Sequence, residues 1–593
     1  MKYNSKDLKE MSNAVRALAL YAVRCAASGH VGIVLGCADI VTTVFANFLR
    51  RGTDKFVMSA GHGSALLYAV LKLAGYDIGD INSFRRIGGL PGHPEYGLPG
   101  VDATTGPLGQ GVGNAVGMAM GAKINKSIAR VYCLCSDGDL MEGVAQEAIA
   151  LAGRYELNNL IMLWADNGLS IDGVAQTDLD VPARMEAAGW RVLTVPGWDY
   201  SRINRALTMA QDSEKPVFIQ CKTELGAGSS LAGTSKAHGF ALRDSEIAAL
   251  IKNYVSTLGE HIWRNVAMEQ VPGVEMVRED VLPNVSLPDI DKDISTRELS
   301  GLYLEELFKA GLNVVGGSAD LGGSTNVRVG SVREITANNF SGNYINYGVR
   351  EHAMGAIMNG LAIFGVRNFG STFLVFSDYM RPSIRLAAMS GLPVVYVLTH
   401  DSIAVGEDGP THQPVEQLPS LRLIPGLNVF RPCNGAEVIY AWRRALTESE
   451  KPSCIVLSRQ KITRVETPLG ADIGRGAYII RASSIKNVRA TIVATGSEVP
   501  LAISVAEKLG GGVQVVSMPS VADFRMQDAE YKQKILRGTV VAIEAAASAP
   551  WFEFADAVVG IDRFGMSGPG QRVYSELGFD VDVIVRDIKD KIK

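Results

Sequence analysis

Cysteine and histidine are scarce in this chain, and each scarcity narrows what it can be. Seven cysteines occur in 593 residues, Cys25, Cys37, Cys133, Cys135, Cys221, Cys433 and Cys454, with no CxxC pair and no zinc-ligand spacing. That excludes a disulfide scaffold and a zinc finger, and leaves reduced core thiols of a cytoplasmic protein. Long apolar runs are missing too. No stretch approaches the length of a membrane span, and Met1 to Glu10 is polar and charged, so neither a membrane partner nor a signal segment is expected. Charge of one sign is also lacking: 58 Lys and Arg face 62 Asp and Glu, for a net charge of −4. An interspersed, near-neutral surface gives nucleic acid no electrostatic footing, and a small-molecule partner fits better. The eight histidines are few but unevenly placed. His30, His62, His93, His238, His400 and His412 fall in Gly-, Ser-, Thr- or Asp-rich loops, whereas His261 and His352 do not.

What the chain does have is organised around Arg130 to Gly173, RVYCLCSDGDLMEGVAQEAIALAGRYELNNLIMLWADNGLSIDG. Arg130 to Cys135 and Leu160 to Trp164 are short apolar runs of strand type, and Leu140 to Tyr155 between them has helical spacing. Parallel strands joined by a helix end at one edge, where open α/β sheets bind ligands, so Asp137 and Asn167 should sit side by side there. An anionic and a neutral oxygen suit Mg²⁺, which completes its shell with water and phosphate oxygens. Gly138 lets a phosphate approach the backbone, and the helix N-terminus behind it favours negative charge. Taken singly, Asp137 reads equally as a helix cap and Asn167-Gly168 as a turn. Their separation of thirty positions, one strand-helix-strand unit, favours a diphosphate and metal site.

Elsewhere, Asn13 to Ala27 reads as an amphipathic helix ending before His30, and Phe56 to Gly63 as a strand running into the Gly-His-Gly turn of His62. Gly89 to Gly113 is a long Gly- and Pro-rich loop carrying His93. Thr223 to Gly239 is a Gly/Ser-rich loop ending at His238. A helix from Thr296 and a strand ending near Asp320 open a second region, and Glu351 falls on the first turn of a helix after Tyr344. Phe373, Phe376 and Tyr379, three apart, suggest one helical face. Strands at Thr491 to Gly496, Gly512 to Met518 and Thr539 to Glu544 make a third region.

The central stretch resembles the thiamine-diphosphate motif, GDG with an Asn about thirty residues on. Ser136 stands for its first Gly. SGHVG, AGHG, PGHPE, TTGPLGQG, YGVREHAM and THDSIAVGEDGPTHQPVEQ extend the likeness, in order, to the transketolase family. That resemblance implies three consecutive α/β/α domains: a diphosphate and Mg-binding domain over 1–260, a linker over 261–293, a pyrimidine-binding domain over 294–464 and a smaller C-terminal domain over 465–593. The first two have parallel sheets. It implies thiamine diphosphate held through Mg²⁺, with Ca²⁺ or Mn²⁺ as substitutes, by Asp137, Asn167 and the carbonyl of Leu169. His62, His238 and Gly138 approach the diphosphate, and Gly106 and Leu108 line the aminopyrimidine. Asp320, Phe373, Phe376 and Tyr379 complete the cofactor box, and Glu351 shares a proton with the pyrimidine ring. Substrate contacts fall on His30, His93, His238, His400, Asp408 and His412, and sugar-phosphate contacts on Arg297, Ser324, His400 and Arg459. Glu351, His412, His30 and His238 carry the proton transfers. The implied reaction moves a two-carbon ketol unit between sugar phosphates of the pentose phosphate pathway. It also implies a cytoplasmic homodimer in which Glu351 comes from the partner chain. A related synthase that decarboxylates pyruvate, or a non-catalytic binding protein of the same fold, stays open at this point.

Overall fold

The apolar runs become strands buried on both faces. In the computed structural model, which describes residues 2–239, 241–255, 263, 266 and 282–592, β2 (Val131–Ser136) and β3 (Leu160–Asp166) pair in parallel from Val131↔Leu160 to Ser136↔Ala165. Their neighbours are β1 (Lys55–Met58), β6 (Arg191–Pro196) and β7 (Val217–Lys222). The order is β1-β2-β3-β7-β6, parallel throughout. A small hairpin of β4 (Leu169–Ser170) and β5 (Gly173–Val174) follows β3. Crossover helices cover the sheet, and β3 is buried along its whole length. This sheet belongs to a first compact unit, Met1–Arg278 with Thr336–Ser341 and His352–Val366; the rest of the chain forms a second. Of the expected linker, residues 261–281 lie outside the described residues apart from Trp263 and Val266, and so does His261.

Two helices differ from the sequence reading. The first runs Ser5–Ala26, because Asn4 accepts from the N–H groups of Lys6 and Asp7 while Asp7 accepts from that of Asn4. Its charged first turn hides that start from an apolar-periodicity count. The helix expected from Leu140 to Tyr155 is two helices, Asp137–Met141 and Gly143–Arg154, separated by Glu142 in extended conformation at φ −71°, ψ 133°.

The second unit holds two sheets. One comprises β8 (Gly316–Ser318), β9 (Tyr344–Asn346), β10 (Asn368–Phe373), β11 (Val394–Thr399), β12 (Asn428–Phe430) and β13 (Ser453–Leu457). Its order is β12-β13-β11-β10-β8-β9, again parallel throughout. The other adds β14 (Tyr478–Arg481) and β18 (Ala557–Val559) to the three strands expected, β15 (Ala490–Ala494), β16 (Val513–Ser517) and β17 (Thr539–Ile543). Here β14 is an antiparallel edge strand. The aromatics expected on one helical face are not on one: Phe373 ends β10, Phe376 lies in a 3-10 turn, and Tyr379 opens the helix Ser377–Met389. The spacing of three comes from a strand that passes through a 3-10 turn into a helix rather than from one helix.

A buried ion network joins these two sheets. Arg431, directly after β12, donates from Nε to Asp401 at 2.9 Å and from Nη1 to Glu498, while Arg422 reaches Glu544 at 2.7 Å and 2.9 Å. Despite burial, Arg422 and then Arg431 hold the Glu544 carboxyl down at about 2. Removing one partner of such a network strands the others as uncompensated buried charge. Arg431→Met is therefore expected to destabilise the protein by roughly 3–5 kcal/mol, read as a lower urea midpoint; an unchanged midpoint would show the network to be energetically neutral.

Candidate functional site

In the first unit, the carboxyl ends of parallel strands open on a single cavity of about 500 Å³. After β1 the chain passes Ser59 and Ala60 into the turn Gly61–Gly63, which carries His62. Asp137 follows β2, and Asn167 follows β3. His30, the residue that precedes the helix Val31–Asn47, joins them with His93 and His238. Gly106, Leu108, Gly138 and Leu169 line the same cavity, so the ten residues His30, His62, His93, Gly106, Leu108, Asp137, Gly138, Asn167, Leu169 and His238 come together in the first unit. Val31 is the fully buried first residue of its helix, which fixes the backbone beside His30.

Ser136 determines what Asp137 can do. The Ser136 hydroxyl accepts from the Asp139 N–H, and the Asp139 carboxylate accepts from Ser136 N at 2.8 Å, from Ser59 Oγ at 2.6 Å and from Gly109 N at 2.8 Å. The cap is thus made by Ser136 and Asp139, and Asp137 is spared that task. Its Oδ2 accepts from the Asn167 N–H at 3.5 Å, and its own N–H and the Trp164 indole also act on the carboxyl, yet its buried Oδ1 makes no hydrogen bond of ordinary geometry. Burial, and next Asp166, pushes the Asp137 carboxyl up to about 7. A bound cation would reverse that shift by favouring the ionised form. Asn167 Oδ1 accepts from Leu169 N at 3.0 Å, tying those two residues into one turn and leaving a further lone pair. Among the described residues no cluster of three His, Cys, Asp or Glu could hold a metal by itself. One carboxylate with neutral oxygens beside it is instead the donor set that suits Mg²⁺ shared with phosphate oxygens. Gly138 is needed for packing as well, since a Cβ there would lie 2.7 Å from Leu108 Cδ1.

The four histidines form a cluster around His30. Its ring centroid lies 5.3 Å from His62, 6.1 Å from His93 and 5.5 Å from His238, and His62 stacks on His238 at 4.9 Å. Burial, then the His238 and His30 rings, brings His62 down to about 3; burial, then Arg85, brings His30 down to about 4. Burial lowers His93 and His238 as well. All four are therefore neutral at pH 7 and can donate and accept hydrogen bonds.

In the second unit the expected residues again follow strand ends. Phe373 ends β10, and His400 follows β11 and stacks on Phe373 with centroids 3.6 Å apart. His412 meets Phe376 edge-on at 5.3 Å, and Phe376 meets the exposed Tyr379 at 6.1 Å. Burial, then Arg297 and Arg459, brings His400 down to about 3. Arg297 donates to the Ser324 carbonyl at 2.6 Å, and its Nε is buried with no partner. Two cations and an orphaned donor beside a neutral histidine suit a phosphate group. Glu351 is buried and accepts from Thr372 Oγ1 at 3.0 Å. Asp320 and Asp408 are exposed, and both Asp320 (φ 63°) and His400 (φ 61°) occupy the left-handed region that side chains avoid.

Three residues touching these groups escaped the sequence reading: Arg85, which donates to His30; Asp139, which organises the turn of Asp137; and Thr372, which holds Glu351. None has a periodic signature, although Asp139 stands three after Ser136, the spacing of a capping box.

Family models described as transketolase thiamine diphosphate binding domain, transketolase pyrimidine binding domain and transketolase-like TK C-terminal domain match residues 8–260, 292–464 and 476–580. The chain is 40% identical to the transketolase of Geobacillus stearothermophilus, over 97% of its own length and 98% of that protein's. It is 40% identical to the transketolase of Physarum polycephalum, covering 99% of each. Among solved structures, transketolase from Campylobacter jejuni superposes with a TM-score of 0.88 at 37% identity, over 99% of this chain and 100% of the other. Transketolase from Pichia stipitis in complex with sedoheptulose 7-phosphate gives 0.88 at 34% identity, over 99% and 98%.

His62 should leave a signature in stability. Its folded-state value lies below the ordinary one of about 6.5, so the stability contributed by the neutral ring is complete above that pH and is lost as pH falls toward about 3. Between pH 7 and pH 5 that loss is roughly 1–2 kcal/mol. Urea midpoints of the wild type should therefore fall more across that interval than those of His62→Gln; equal falls would contradict the assignment.

Proposed function

The chain belongs to the transketolase family, and from that premise we propose how its own residues perform the family's reaction. It is a thiamine diphosphate-dependent transferase that moves a two-carbon ketol unit reversibly from a ketose phosphate to an aldose phosphate. Bound thiamine diphosphate supplies the electron sink that lets the bond beside the ketose carbonyl break and re-form.

In this reading the domains run 1–260, 294–464 and 465–593, with a linker between the first two. Asp137, Asn167 and the Leu169 carbonyl would hold Mg²⁺ and, with it, the diphosphate of the cofactor. His62 and His238 add hydrogen bonds to it. Gly106 and Leu108 face the aminopyrimidine. Glu351, kept in place by Thr372, would offer its carboxyl to the pyrimidine of the bound cofactor, and Phe373, Phe376, Tyr379 and Asp320 would line that part of its site. Arg297, Ser324, His400 and Arg459 bind the sugar phosphate, while His30, His93, Asp408 and His412 orient the sugar oxygens. The protein is a cytoplasmic homodimer of the pentose phosphate pathway, and Glu351 with its aromatic neighbours serves the cofactor held by a second copy.

One observation carries this reading. The buried Asp137 oxygen that no protein group satisfies lies in the same cavity as four neutral histidines. A cation with a phosphorylated ligand answers both features.

Turnover of xylulose 5-phosphate with ribose 5-phosphate should require both thiamine diphosphate and Mg²⁺. Glu351→Ala should lower kcat by about 10²–10⁴-fold while calorimetry still detects cofactor binding; full activity in that variant would remove Glu351 from the mechanism. Arg297→Ala should raise KM for a phosphorylated aldose about tenfold to hundredfold and leave that for glycolaldehyde nearly unchanged. Equal effects on both substrates would place Arg297 away from the phosphate.

A further inference from the structure

Arg85 lies outside every role assigned above, yet it reaches the histidine at the centre of the cluster. Its Nη1 donates to Ser28 Oγ at 2.6 Å, and its Nη2 lies 3.2 Å from His30 Nδ1. The side chain is half-buried, and its Nε is buried without a partner. The backbone of Arg85 is in the left-handed region, φ 58°, a conformation that costs a non-glycine residue about 1 kcal/mol or more. Its own N–H donates to Leu90 O at 2.8 Å, so the surrounding turn holds this strained position.

A guanidinium has five N–H donors, no acceptor, and keeps its charge at any pH of interest. A ring nitrogen facing it must therefore offer a lone pair. The neutral imidazole carries its one proton on the other nitrogen. Of the four histidines lining the cavity, His30 is the one with a ring hydrogen bond among the described residues, and that bond comes from a group that can only donate.

We propose that Arg85 is a positioning residue that locks His30 as its Nε2–H tautomer, so that His30 serves the transfer as a hydrogen-bond donor to a substrate oxygen and not as a base. This rests on the reading that His30 faces the substrate. Negative charge develops on the oxygen of a carbonyl under attack, and a pre-oriented neutral N–H stabilises it without giving up its proton. The charged groups near His30 agree with a neutral donor. Arg85, His238 and His93 all oppose its protonation, as does burial, and His62 packs against its ring. The proton acceptor for the sugar hydroxyls must then be another group, such as His412 or His238.

Selective ¹⁵N-histidine labelling of the full chain, loaded with thiamine diphosphate and Mg²⁺, tests this directly, with His30→Gln identifying the His30 signals. The wild type should show His30 Nδ1 unprotonated and Nε2 protonated, unchanged between pH 8 and pH 6. A protonated Nδ1, or averaging between tautomers, overturns the proposal without any variant having to fold. Arg85→Met should mix the tautomers and lower kcat about tenfold to hundredfold, the size of effect seen when a ligand's supporting hydrogen bond is lost, with KM little changed. Arg85→Lys, which keeps a cationic donor, should recover most of that loss. If Arg85→Met loses activity while the His30 signals stay where they were, Arg85 is merely structural and the proposal fails. If the lock is present but His30→Gln keeps full activity, the donor role fails while the tautomer assignment stands, which separates this inference from the placement of His30 at the substrate.

Discussion

A buried carboxylate oxygen with no protein partner is the constraint on which the first unit turns. Asp137 is held at the end of β2 by a strand buried on both faces, and its Oδ1 makes no hydrogen bond of ordinary geometry. Proteins rarely leave such a group unsatisfied, because desolvation without a hydrogen bond is costly. Apart from the Trp164 indole, which acts on the carboxyl without a hydrogen bond of ordinary geometry, the neighbouring polar residues that could have relieved it are occupied elsewhere. Ser136 and Asp139 bond to each other and to Ser59 and Gly109, Lys222 and Gln220 serve Asp166, and Asn167 turns its oxygen to Leu169. The surroundings thus satisfy the carboxylates of Asp139 and Asp166 and leave that of Asp137 open. Ser136, a departure from the family's glycine, belongs to this arrangement: its hydroxyl makes the cap that a glycine could not, and frees Asp137 from it.

The same logic governs the histidines. Burial lowers all four imidazoles, and for His62 and His30 the neighbouring rings add to it, so the cluster is neutral at physiological pH. A neutral cluster can offer donors and acceptors to sugar hydroxyls and phosphate oxygens without repelling a metal ion nearby. In the second unit the charge is arranged the opposite way. Burial, then Arg297 and Arg459, suppress the charge of His400, which sets a neutral ring beside two guanidinium groups.

Much of this was legible before any coordinates, because parallel sheets leave a strong trace. A short apolar run that stops on Asp137, a helix, and a second run that stops on Asn167 fix both residues to one edge through topology alone. His62, His400 and Asp320 were legible for the same reason, each following a strand. What was not legible depends on local geometry that periodicity does not record. Phe373, Phe376 and Tyr379 were placed on one helix because three-residue spacing is shared by helices and by a strand that bends through a 3-10 turn. The continuous helix over Leu140 to Tyr155 failed at Glu142, whose extended backbone no apolar count can reveal. Arg85 was invisible because its importance comes from a conformation, positive φ, and from a partner 55 positions away.

Strain of that kind recurs at residues the sequence singled out, and it needs a brace. Seven described residues other than glycine have positive φ, among them Asp320 and His400, which the sequence singled out, and Arg85, which touches His30. Each such residue costs on the order of 1–3 kcal/mol, so the surroundings must hold it in place. For His400 the restraint can be traced. Its ring is stacked on Phe373, Thr399 Oγ1 bonds its Nδ1 at 2.8 Å, and the next residue, Asp401, is gripped by Arg431. Arg431 is in turn fixed by Glu498 and Thr495 of the C-terminal sheet region, and Gln413, beside His412, donates to the carbonyls of Ile403, Gly406 and Met566. The C-terminal region, which contributes no expected ligand of its own, therefore bears on the loop that carries His400 and His412 through buried, charge-assisted bonds. A strained histidine held only by its own loop would relax toward an ordinary conformation; one anchored to a second sheet has no such freedom, and that is the physical service the third sheet renders to the site.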